Sequence, residues 1–306
     1  MTIDPDVALN ALETEAVNPA TVEIDRMSAL DLVRAMNAED ALVAAAIARE
    51  AAHIARAIES IAARLRRGGR LIYAGAGTSG RLGALDAAEC PPTFNTPSET
   101  VIGLIAGGSW VVTEAAEESE DNVEAGYDDI ARLGVDARDA CVGIAASGRT
   151  PYVLGAVAQA RARGALTIGL TCNADTPLAA AVDITIAPLV GPEVIAGSTR
   201  LKAGTAQKMV LNMLSTGAMV LLGKTYGNLM VDVCAANHKL RRRAVRIVAT
   251  ATGLDADAAL AALRDAHGDV KTAIVAVRAH ITPDDARNRL TAHGGVVRAA
   301  LEEGER

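Results

Sequence analysis

The residues best able to do chemistry cluster in Leu71–Pro92, which reads LIYAGAGTSGRLGALDAAECPP. A strand-like apolar run, Arg70 to Ala74, leads into Gly75-Ala76-Gly77-Thr78-Ser79-Gly80, and Arg81 opens a helical pattern expected to stop at Pro91-Pro92. Strand, glycine-rich turn and helix in that order make an anion site, because free amides and the positive end of the helix dipole face the same point. Thr78 and Ser79 add hydroxyl donors. Glu89 lies further along the same helix. In an apolar pocket its pKa rises and it can serve as a general acid near neutral pH. Its spacing leaves a structural helix-end role equally open.

The same logic recurs twice. Ser147, Arg149 and Thr150 follow a buried strand pattern and precede Pro151, a residue suited to the first helical position. Ser198, Thr199 and Lys202 open a third, hydroxyl-rich helix start. Hydroxyls, amides and one or two cations together suit a phosphate monoester. The uncharged second strand, Val101–Ala106, lacks the acid of a dinucleotide site, and no G-x-x-x-x-G-K-[ST] occurs. Proton transfer falls to carboxylates, since His53, His267, His280 and His293 lie outside these turns. A partner for Glu89 is expected among Glu117, Glu118, Glu120 and Asp121, and spacing does not choose between them. His238 and Lys239 are two further candidates for reaching an anionic site.

The elements that must position these groups are short apolar runs separated by helical patterns, the signature of βαβ units. The expected fold is α/β, a doubly wound, mostly parallel sheet of strands near 70–74, 101–106, 140–146, 166–171 and 184–188. Helical patterns cover Ser28–Arg67, Val112–Leu133 and the stretch up to Leu222, and a further one runs over Val233–Thr250. Residues 1–27 read as an N-terminal arm, either a flexible terminus or a lid or strap on a neighbouring subunit. Residues 28–252 read as the phosphate-ester-binding domain, and 253–306 as a small helical bundle.

Composition narrows the class. A net charge of −7 and only 2% aromatic residues argue against a nucleic-acid binder. No apolar run reaches membrane-spanning length, and the first residues lack a basic, apolar leader, so a cytoplasmic protein is expected. Cys90, Cys141, Cys172 and Cys234 fit no metal spacing and are expected to be buried, reduced thiols.

The stretches GAGTSGRLGALDAAECPPTF, GLIAGG, EESEDN, GIAASGRTPYV, GSTRLKAGTAQKMVLNMLST and GNLMVDV, in that order, resemble the N-acetylmuramic acid 6-phosphate etherase family of the sugar-isomerase-domain superfamily. The resemblance runs from about Glu15 to Leu301. It implies cleavage of the lactyl ether of a phosphosugar by elimination and hydration, in cell-wall recycling. By the same resemblance, Glu89 in ECPPT is the acid and Glu120 in E-x-x-E-D is the second catalytic carboxylate, flanked by Glu117 and Asp121. No cofactor or metal is implied. A homodimer and a ubiquitin-associated-like C-terminal bundle are implied. An aldose–ketose isomerase would need no acid aimed at a C3 leaving group, and a phosphosugar sensor would need neither carboxylate.

Overall fold

The buried apolar runs form one parallel sheet. In a computed structural model, which describes residues 12–108, 119–233 and 238–303, its strands are β1 (Leu71–Gly75), β2 (Val101–Ile105), β3 (Ala140–Ile144), β4 (Leu166–Leu170) and β5 (Ile184–Ile186). Their order is β2-β1-β3-β4-β5, with every neighbouring pair parallel. Every residue of β1, β3 and β4 is buried, which is why these stretches carry no alternation of polar and apolar residues.

The helices are α1 (Ala29–Arg49), α2 (Ala51–Leu65), α3 (Gly77–Phe94), α4 (Val123–Arg132), α5 (Pro151–Ala162), α6 (Pro177–Ala181) and α7 (Lys202–Leu221). Local chemistry sets several of their starts. Ser28, Asn122 and Thr176 each accept an amide of the first turn.

Four expectations about helices change. The single helix expected over Ser28–Arg67 breaks at Glu50, whose carboxylate turns to accept the Ala187 amide at 3.1 Å. The helix expected from Val112 begins at Val123, because Asn122 caps it there; residues 112–118 lie outside the described residues. Helix α3 starts at Gly77 rather than Arg81. It also runs through Pro91-Pro92, where the Pro91 carbonyl accepts the Asn95 amide at 2.9 Å and a left-handed Asn95 ends the helix.

The chain divides into two compact units, one made of the chain up to Ala88 with Glu99–Ser215, the other of Glu89–Ser98 with Thr216 onward. The second contains the hairpin β6 (Thr225–Tyr226) and β7 (Leu229–Met230), then α8 (His238–Thr252), α9 (Ala256–Asp265), α10 (Val270–Ala279), α11 (Pro283–Ala292) and α12 (Val297–Glu302). Ala244 and Val248 of α8 share one core with Leu263, Ile274, Leu290 and Val297. The C-terminal bundle is therefore not bounded at 253, since α8 belongs to its core.

Cys90, Cys141 and Cys172 are free and buried, and burial pushes the Cys141 and Cys172 thiols up to about 12. Among the described residues, no helix is long and apolar enough to cross a membrane.

Helices α4 and α5 meet backbone to backbone. A Cβ at Gly126 would collide with the Tyr152 carbonyl, and one at Gly155 with the Val123 carbonyl. Gly126→Ala should therefore destabilise the protein by about 1–3 kcal/mol through overpacking, read as a lower denaturant midpoint with an unchanged slope.

Candidate functional site

Strand order reverses direction between β1 and β3, the place where open α/β sheets bind ligands. The register sets Gly75 level with both Ile105 and Ile144, so the chain leaves β1 and β3 at the same height. One residue, Ala76, separates β1 from α3. The expected loop is thus the first helical turn itself, and Gly77, Thr78 and Ser79 present amides with no intrahelical acceptor.

Gly77 has φ +50°, and a Cβ there would lie 2.6 Å from Oε1 of Glu120. Among the described carboxylates of the acidic stretch, Glu120 is held against the anion turn. Its own carbonyl accepts the Tyr152 amide at 3.0 Å in the first turn of α5. The Glu120 backbone is thus tied to the start of α5, while its carboxylate lies at the positive end of α3, which attracts negative charge. Asp121 is exposed, and Glu117 lies outside the described residues.

The second turn is built tightly. Ser147 Oγ accepts the Arg149 amide at 3.2 Å, and Gly148, at φ +65°, leaves room for the buried Thr176 side chain. Thr150 precedes α5 and makes no side-chain cap; Pro151 brings no amide proton, and the Tyr152 amide is held by the Glu120 carbonyl. Arg149 is half-buried and its Nε has no hydrogen-bond partner among the described residues, a donor suited to an anion.

The third turn behaves differently. Ser198 and Thr199 are half-buried in the turn before α7. Gly204 packs between the Thr199 carbonyl and the Thr78 methyl, which sets this turn beside the first. The start of α7, however, is already occupied by an anion of the chain. The buried Glu193 carboxylate accepts the amides of Lys202 and Ala203, each at 2.9 Å. The Lys202 side chain, 1% exposed, donates to Glu39 at 2.6 Å. Lys202 is committed to structure rather than presented at the anion turn, because a buried ammonium needs a fixed counter-charge.

Glu89 is exposed on α3, in the second unit, not enclosed in the apolar pocket that the sequence suggests. Lys239 is exposed on α8, which His238 opens.

The sequence did not mark several supporting residues. Asp86 is buried and accepts from Tyr73, Asn212 and Ser215, tying α3 to β1 and α7. Gln207 accepts from Ser79. From residue 12 onward the arm straps its own chain. Asn173 exchanges hydrogen bonds with Thr14 and donates to the Ala146 carbonyl next to Ser147. Asn18 donates to the Pro192 carbonyl and Thr21 to that of Val194. A buried Asn or Thr far from any motif carries no local signal for such contacts.

A switch-point anion turn with a carboxylate over it defines a sugar-isomerase-type site. A SIS domain model matches residues 117–217, and the glucokinase regulatory protein N-terminal SIS domain matches residues 53–161. Full-length relatives are more specific. The N-acetylmuramic acid 6-phosphate etherase of Rubrobacter xylanophilus is 56% identical, covering 98% of this chain and 99% of its own. Those of Edwardsiella ictaluri and Streptomyces avermitilis are 54% and 56% identical over 96% of this chain, and over 98% and 94% of theirs. The chain belongs to the N-acetylmuramic acid 6-phosphate etherase family and is an enzyme.

The Lys202–Glu39 pair can be tested by stability. Glu39→Gln strands a buried ammonium and should cost about 3 kcal/mol or more near neutral pH. The hydrogen bond from Lys202 holds the Glu39 carboxyl below its ordinary value. Its contribution is therefore full above the unfolded pKa and fades as pH falls through the lowered folded one. The gap between wild type and variant in chemical denaturation should narrow on acidification through that window.

Proposed function

We propose that this enzyme cleaves the D-lactyl ether of N-acetylmuramic acid 6-phosphate, giving N-acetylglucosamine 6-phosphate and D-lactate. The reaction makes it a carbon–oxygen lyase acting in cytoplasmic peptidoglycan recycling and amino sugar catabolism. The observation that carries the reading is the Glu120 carboxylate lying over Gly77 at the anion turn. The names of the relatives support the substrate.

In this reading the phosphate is anchored by the first-turn amides of α3 with Thr78 and Ser79, and by Ser147, Arg149 and Thr150. Ser198 and Thr199 flank it. In the open-chain sugar the aldehyde acidifies the C2 proton. Glu120 takes that proton as the C3–O bond breaks, and Glu89 protonates the departing lactate oxygen. Water then adds across the new C2–C3 double bond, its hydroxyl going to C3 and a proton to C2. Glu89 takes the proton of that water and Glu120 returns its own to C2, so both carboxylates end as they began and the net change is addition of one water.

A homodimer is part of the proposal. Leu30, Val33 and Met36 lie exposed at helical spacing on α1, whose buried residues are confined to its C-terminal half. That apolar stripe suits a second copy of the chain.

Incubation with N-acetylmuramic acid 6-phosphate should release D-lactate, and in deuterated water the product should carry deuterium at C2. Intact binding without lactate release would exclude the etherase reaction, and product without deuterium would exclude elimination. Glu89→Gln and Glu120→Gln should each lower kcat by about 100-fold or more, with a smaller effect on KM.

A further inference from the structure

Two buried polar groups behind the anion turn are mismatched. Ser79, in the first turn of α3, gives its hydroxyl proton to Oε1 of Gln207 on α7 at 2.9 Å. In that state Ser79 offers an incoming anion only lone pairs, the wrong polarity for a phosphate. The other half of the same amide is also unsatisfied. Gln207 is 1% exposed, and its Nε2 is buried with no hydrogen-bond partner among the described residues. Buried donors without acceptors are rare and costly in folded proteins.

One rotation reverses the polarity that the amide shows to Ser79. Turning the amide by 180° exchanges its oxygen and nitrogen. Nε2 then donates to Ser79 Oγ, and the hydroxyl proton is free to be donated to an anion held at the start of α3. We propose that Gln207 is a positioning residue for phosphate binding, its amide setting whether the Ser79 hydroxyl points inward or donates to the ligand. Glutamine suits this role because it carries both a donor and an acceptor on one rotor. A carboxylate at this position could only accept, and an apolar side chain could do neither.

The inference rests on the reading of Ser79 as a phosphate ligand, and a double-mutant cycle separates the two. Steady-state kinetics with N-acetylmuramic acid 6-phosphate, and the inhibition constant of inorganic phosphate, are measured for wild type, Ser79→Ala, Gln207→Met and the double variant. Each single variant should raise KM and the phosphate inhibition constant about tenfold, with kcat within about twofold. The double variant should be no worse than the worse single one, because Gln207 acts through Ser79.

If Ser79→Ala leaves both constants unchanged, the phosphate role of Ser79 fails and this inference with it. If Ser79→Ala raises them but Gln207→Met does not, or if the two effects multiply, Gln207 does not act through Ser79 and only this inference is overturned. Gln207→Glu preserves shape should the methionine variant not fold. It should raise KM more than tenfold at pH 8, and its ratio to wild type should fall as the pH is lowered and the protonated carboxyl regains a donor. A ratio that does not change with pH would overturn the proposal.

Discussion

The site depends on the missing side chain at Gly77. The backbone turns from β1 into α3 with a single intervening residue, and the space a Cβ would fill is taken by the Glu120 carboxylate. Any other residue would push the carboxylate off the helix end and strain a positive φ. An anchor for negative charge and a carboxylate then share one point. The positive end of the α3 dipole favours negative charge at that point.

The three helix starts that look alike in sequence differ in what fills them. The Glu120 carboxylate lies beside the start of α3, the Glu120 carbonyl takes the Tyr152 amide of α5, and the Glu193 carboxylate closes the start of α7. Burial raises the Glu193 carboxyl above its ordinary value, against the pull of the two amides and of Lys202. The chain thus spends one helix dipole on its own architecture. Lys202, Glu39 and Asn18 extend that internal network to α1 and the arm.

What was legible in the sequence was local. Strands written as unbroken apolar runs, the Pro151 start and the hydroxyl-bearing turns all follow from short-range rules, as do the caps at Ser28 and Asn122. Long-range contacts were not legible. Glu193 caps from nine residues upstream, and Lys202 finds its counter-charge 163 residues away. Composition misled at one point. Gly75–Gly80 reads as a loop because glycine disfavours helix, but close packing of α3 on the sheet overrides that preference, with Gly80 lying against Ile105. Residue type and spacing alone did not choose Glu120 from four neighbouring carboxylates; the resemblance to the etherase family named it, and its carboxylate lies beside Gly77.

The arm's contacts bear on how the protein matures. Thr14 pairs with Asn173, 159 residues later in the chain. At translation rates of roughly 5–20 residues per second, the arm leaves the ribosome some 8–30 s before its docking surface exists. It cannot nucleate folding and must wait beside a growing sheet whose loops it will later tie down. Because Asn173 also holds the Ala146 carbonyl, the turn carrying Ser147 reaches its final form only after this long loop has closed. Thr14 is made early and is among the last residues to find its place.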